Sequence, residues 1–95
     1  MKPVKNSTDP VIAKYTMGIT VMITGIPAHR IRKYEGAGIC KPIRTDSQQR
    51  LFTDDDIQLI RKIGELEEDG VNLAGIKIIL HLQKRNSTNQ VGNPR

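Results

Sequence analysis

The sequence predicts a small, mainly α domain in which short helices flank one β-hairpin. Three observations lead to that fold class. The first is the run after Thr53. Thr53 is a good N-cap, and Asp54, Asp55 and Asp56 place negative charge at the positive end of a helix dipole. Ile57, Ile60, Ile63 and Leu66 then recur at helical spacing. The second is a weak alternation over residues 40–52. There Ile43 and Leu51 flank the turn-forming stretch Thr45-Asp46-Ser47-Gln48-Gln49, which fits a two-stranded hairpin. The third is a glycine turn at Gly25 that leads into a short basic helix from about Pro27 to Glu35.

Each element follows in chain order. Residues 1–13 are rich in Lys, Asn, Ser, Thr, Asp and Pro, and read as a flexible arm. Tyr15-Thr16-Met17 can pair as a short strand. Ile19 to Thr24 is β-branched and scores as strand on propensity alone. Pro27 suits the first helical position, since its missing N–H is one of the helix's unpaired donors anyway. Gly36 and Gly38 stop that helix, and the hairpin and the Thr53-capped helix follow. Gly70 supplies a left-handed cap. Asn72 caps a further helix with Leu73, Ile76, Ile79 and Leu80 on its apolar face. From Gln83 the chain turns polar without an apolar period, and residues 83–95 read as a disordered tail. The folded domain is expected over residues 14–82.

A chain of 95 residues is one domain at most. Tyr15, Tyr34 and Phe52 are its aromatics, so Ile and Leu must build the core. A net charge of +5 and a pI near 9.7 favour an anionic partner. No apolar run approaches the roughly 20 residues of a membrane span, and no signal peptide is visible after Met1-Lys2-Pro3. A single cysteine excludes an internal disulfide framework and suits a reducing cytoplasm.

The segment Thr24-Gly25-Ile26-Pro27-Ala28-His29-Arg30-Ile31-Arg32-Lys33-Tyr34-Glu35 is the most informative. Ile31 can anchor a helix from its inner side while His29, Arg30, Arg32 and Lys33 fan over the rest. Such a helix is hard to bury and easy to lay in a major groove. A solvated basic face is the competing reading. The blocks Gly25-Ile26, Ile31-Arg32-Lys33-Tyr34-Glu35, Gly38-Ile39, Pro42-Ile43-Arg44, Arg50-Leu51-Phe52, Asp56-Ile57 and Gly70 to Ile76 keep a characteristic spacing. Through them Gly18 to Leu80 resembles the DNA-binding head of the MerR family of transcription regulators. Ile19 to Thr24 and Arg30-Ile31-Arg32 look most like its GlnR/TnrA nitrogen-regulator type. Gly70 to Ile76 is similar both to that type and to the heat-shock repressors. One departure is Lys33, where the family usually has the first of two tyrosines.

The resemblance implies a winged helix-turn-helix of four helices, with Ile19 to Thr24 helical and the hairpin as the wing. It implies sequence-specific binding of double-stranded DNA and, within the GlnR/TnrA type, nitrogen-metabolism repression. The expected DNA-binding residues are Thr16, His29, Arg30, Arg32, Lys33, Tyr34, Arg44 and Arg50. Arg30 can take the O6/N7 pair of a guanine or only touch phosphate. The resemblance gives Arg32 and Tyr34 phosphate roles, but the Tyr34 ring can instead pack under the wing. Arg44 and Arg50 flank the hairpin, and Arg50 can alternatively pair with Glu35. Relatives pair through their N-terminal segment, so a homodimer on an inverted-repeat operator is expected, with Val11, Ile12 and Tyr15 of the arm as apolar contacts.

Nothing in the sequence supports an enzyme, a metal or a cofactor. His29, Cys40 and His81 lack zinc-ligand spacing. Asp54, Asp55 and Asp56 point to different sides of a helix, so dipole compensation explains them better than metal chemistry. Gly36-Ala37-Gly38 lacks the lysine of a phosphate loop. The alternative function is a small architectural or excisionase-like DNA-binding factor, a class that shares the winged fold without an effector domain. The chain is either a head cut from a longer protein or a minimal one, and the linker-like end favours the former.

Overall fold

In the computed structural model, residues 13–92 are described, with side chains through Lys84. The expected arm, save Ala13, lies outside the described residues, as do residues 93–95. Strand β1 (Ala13–Tyr15) leads into α1 (Met17–Thr24) and α2 (Ala28–Gly36). The hairpin β2 (Ile43–Arg44) and β3 (Arg50–Thr53) follows, then α3 (Asp54–Glu68) and α4 (Leu73–Gly92). The strands form one antiparallel sheet in the order β1-β3-β2. This is a winged helix-turn-helix, four helices with a small sheet.

The short strand lies two residues earlier than Tyr15-Thr16-Met17. It ends at Tyr15 because Thr16 is the N-cap of α1, its hydroxyl accepting the Ile19 N–H at 3.2 Å. The β-branched run Ile19 to Thr24 is helical, as the resemblance implied. Packing overrides propensity there: Thr20 is fully buried and Val21 packs on the core. Gly25 closes α1 with φ of 75°, a left-handed conformation that favours glycine. Its N–H donates to the Val21 carbonyl at 2.8 Å. Pro27 stands one residue outside the expected position, as the N-cap of α2 with ψ of 153°. Its carbonyl accepts from the Arg30 and Ile31 amides.

Helix α3 begins with a full capping box. The Thr53 hydroxyl accepts the Asp56 N–H at 3.0 Å, and Asp56 Oδ2 accepts the Thr53 N–H at 2.9 Å. It ends in a Schellman motif: Gly70, at φ of 93°, donates to the Glu67 carbonyl and Val71 to that of Leu66. Asn72 Oδ1 accepts the Gly75 N–H at 2.8 Å and caps α4, as its sequence position suggested. The expected end of α4 is corrected. The helix does not stop at Gln83 but runs to Gly92, since Gln, Lys and Arg sustain a helix without any apolar period.

The core is aliphatic with two aromatic plates. Ile26, Ile31, Tyr34, Cys40, Phe52, Ile57, Ile60, Ile63 and Ile76 form one buried cluster. Gly64 lets the turn before α2 settle on α3: a Cβ there would stand 2.6 Å from Ile26 Cδ1. Among the described residues, no helix is long and apolar enough to cross a membrane.

Candidate nucleic-acid interface

Helix α2 is anchored by Ile31 and Tyr34, which are 1% and 0% exposed. At 3.6 residues per turn these two define its inner face. His29, Arg32 and Lys33 fall on the opposite face and are exposed. Arg30 and Glu35 lie on the two flanks and are partly buried. Arg32 and Lys33 enter no ion pair among the described residues. That exposed edge is therefore a cationic strip of shape and charge suited to a groove lined by phosphates.

The flanks are tied to neighbours. Arg30 Nη2 meets Glu67 Oε1 of α3 at 2.6 Å, and the Tyr34 hydroxyl donates to the same oxygen at 2.6 Å. Burial works against the Glu67 charge, but the donors Tyr34 and Arg30 outweigh it and hold the carboxyl below its ordinary value. Burial and then the Glu67 bond push the Tyr34 hydroxyl up to about 12. On the other flank Glu35 Oε1 accepts from Arg50 Nε at 2.6 Å, and Oε2 from Arg44 Nη2 at 3.1 Å. Burial opposes the Glu35 charge too, and Arg50 and Arg44 together lower its pKa nevertheless.

Arg44 and Arg50 face one another directly across β2 and β3. Like charges in that register repel. Glu35 accepts one from each and makes the register tenable. The wing turn is fastened by Thr45, whose amide donates to the Gln49 carbonyl at 2.9 Å and whose carbonyl accepts from Gln48 at 2.8 Å. Gln48 holds φ of 69°, and Arg44 Nη1 reaches its carbonyl at 3.0 Å.

The structure thus brings His29, Arg32 and Lys33 together on one edge, with Arg44 and Arg50 beside it on the wing. Thr16 is partly buried, and its hydroxyl is used in capping α1. Tyr34, expected either to touch phosphate or to pack its ring under the wing with only the hydroxyl exposed, is fully buried, and its hydroxyl donates to Glu67 of α3. Arg50 pairs with Glu35, its other expected partner, and Arg30 has a carboxylate neighbour that the sequence reading missed. A signal for Glu67 exists in the chain. Glu65, Glu67, Glu68 and Asp69 crowd the negative end of the α3 dipole, where acids are unfavourable without a cation nearby. Near the strand, Tyr15 donates to Asp54 Oδ1 at 2.6 Å and Lys14 lies 3.3 Å from Asp54 Oδ2, a further tie the sequence did not suggest. Cys40 is wholly buried, and desolvation pushes its thiol up to about 12. Among the described residues no group of three or more His, Cys, Asp or Glu is placed to hold a metal ion.

Known proteins resemble this chain in sequence and in fold. The chain is 38% identical over 77 residues to the HTH-type transcriptional regulator GlnR of Bacillus anthracis, covering 81% of this chain and 59% of that one. It is 33% identical over 72 residues to the heat shock protein HspR of Streptomyces coelicolor, covering 75% and 48%. It therefore spans a little over half the length of its GlnR relatives. The solved structure of HiNmlR, a MerR family regulator lacking the sensor domain and bound to promoter DNA, superposes with a TM-score of 0.71 at 26% identity, covering 79% of this chain and 58% of that one. The profile of the MerR HTH family of regulatory proteins matches residues 15–83, from the end of β1 into α4, and by that span together with the wing-flanked helix-turn-helix the chain belongs to this family.

Proposed function

We propose that the chain binds double-stranded DNA sequence-specifically and acts as a transcription regulator. In this reading α2 enters the major groove by its outer edge, and the wing follows the neighbouring backbone. The observation that carries it is the exposed edge of α2, where Arg32 and Lys33 enter no ion pair among the described residues and His29 stands beside them. The promoter-bound HiNmlR structure supports the choice of ligand. The likeness to GlnR supports the regulatory role, and the finer reading is a nitrogen-metabolism repressor that acts in the cytoplasm as two copies on an inverted repeat. Arg44 and Arg50 would reach phosphates from the wing while keeping one bond each to Glu35.

The test is salt dependence. Binding that replaces condensed counterions gives a log–log slope of about −0.9 per phosphate contact. Arg32→Ala and Lys33→Ala should each weaken binding to selected and random duplexes alike, and each should flatten the slope by about 0.9. Slopes unchanged from the parent chain in both variants would defeat the assignment.

A further inference from the structure

Helix α2 spans only nine residues and buries Ile31 and Tyr34 alone. Two side chains on one face fix how deeply a short helix sits, but they constrain its rotation about its own axis weakly. The flanks add that constraint. On one side α2 contributes a cation, Arg30, and the partner is a carboxylate of α3, Glu67. On the other it contributes an anion, Glu35, and the partners are two guanidiniums of the wing. Rolling the helix either way lengthens one tie. The polarity reverses across the helix, so neither tie can substitute for the other. Glu67 also takes the hydroxyl of the buried Tyr34 on the oxygen that meets Arg30, which couples the flank to the anchor beneath it.

We infer that Glu67, acting through Arg30, and Glu35, acting through Arg44 and Arg50, are positioning residues that set the roll of α2, and that its DNA-facing edge is His29, which reads bases, with Arg32 and Lys33 on phosphates, and does not include Arg30. This rests on the DNA-binding reading above. The Arg30 side chain is 29% exposed and that of Glu67 is 19%. Moving Arg30 to a guanine would strip a half-sheltered carboxylate of its cation while bringing it towards phosphates. Losing a charged partner in such a site is costly. Arg30 thus serves better as a strut than as a reader.

Charge arithmetic makes the test sharp. Glu67→Gln raises the net charge by one, so electrostatics alone would tighten DNA binding. Loss of the roll constraint instead lowers affinity for the preferred site. The parent chain is first used to select a preferred duplex from a library with a randomised core. Affinities for that duplex and for a random duplex are then measured for Arg30→Gln, Glu67→Gln and the double variant, with thermal melting of each. The ratio of selected to random affinity should fall by about ten-fold in each single variant and no further in the double. Arg30→Gln should lower preference evenly along the site, whereas His29→Ala should lose about ten-fold or more at one base pair. The reversed pair, Arg30→Glu with Glu67→Arg, should recover selectivity that either reversal alone destroys, and it keeps the test available where a single variant melts. Selected-site binding by Glu67→Gln at or above the parent level overturns the inference. So does an Arg30→Gln variant that loses preference at one base pair only. A parent chain with no salt-dependent duplex binding defeats the DNA-binding reading itself, and the inference with it, before any variant is compared.

Discussion

At the scale of single residues, Glu35 and Glu67 tie the two flanks of α2 to its neighbours. Both carboxyls have folded-state pKa values below 4.5, because burial is outweighed by paired donors. The unfolded chain therefore takes up protons first as pH falls. Their stabilisation is complete above about pH 4.5 and is lost as pH drops through the lower folded values. Each contributes up to about 1 kcal/mol once solvent screening is allowed for. Melting temperature should accordingly decline on acidification below that point, and Glu67→Gln should show a shallower decline from a lower starting value. An acid profile parallel to that of the parent chain would remove Glu67 from the account. These ties show where sequence reasoning reaches its limit. The pairing of Arg50 with Glu35 was one of two readings available because both sit in recognisable blocks. Arg30 and Glu67 are 37 positions apart, and nothing local links them.

At the scale of elements, legibility follows how local the cause is. Helix α3 was evident because its signals are adjacent: a threonine cap, three aspartates and an isoleucine period. Thr53→Ala removes one half of the capping box and should cost about 1 to 2 kcal/mol, read as a lower midpoint in urea with the slope preserved. A midpoint within error of the parent would mean that the Asp56 carboxylate holds the terminus unaided. Helix α1 is the opposite case. Its β-branched residues favour a strand, and only the fit to a family pattern pointed to a helix. The physical reason is tertiary, since Thr16 caps the first turn, Gly25 closes the last and Thr20 is sealed against the core. The length of α4 was misjudged for a related reason. An apolar period reports burial, and a helix continues beyond its buried part wherever its residues allow.

At the scale of the molecule, the sheet joins the start of the chain to the wing, since β1 pairs with β3, which pairs with β2. Residues 1–12 lead into β1, which pairs with the strand that also forms the wing. Deleting them should lower cooperativity on an inverted repeat with half-sites about one helical turn apart, while half-site affinity stays nearly intact. Titration on half and full sites reads both quantities. A dimer that survives the deletion would shift attention to the exposed Ile78 and Leu82 of α4. The paired arginines of the wing carry a different consequence, for the order of events in folding. A two-stranded ribbon is marginal alone, and one with guanidiniums opposed is worse. The wing should thus assemble only after α2 has presented Glu35, and it should be the first part to open in the native state. Hydrogen exchange would show this as early loss of protection in β2 and at the Arg50 and Leu51 positions that pair with it, accelerated by Glu35→Gln while α3 amides keep their rates. The hairpin then reports whether the helix beside it is in place, so in the proposed reading the chain would meet DNA with its wing ordered only when the outer edge of α2 is ordered too.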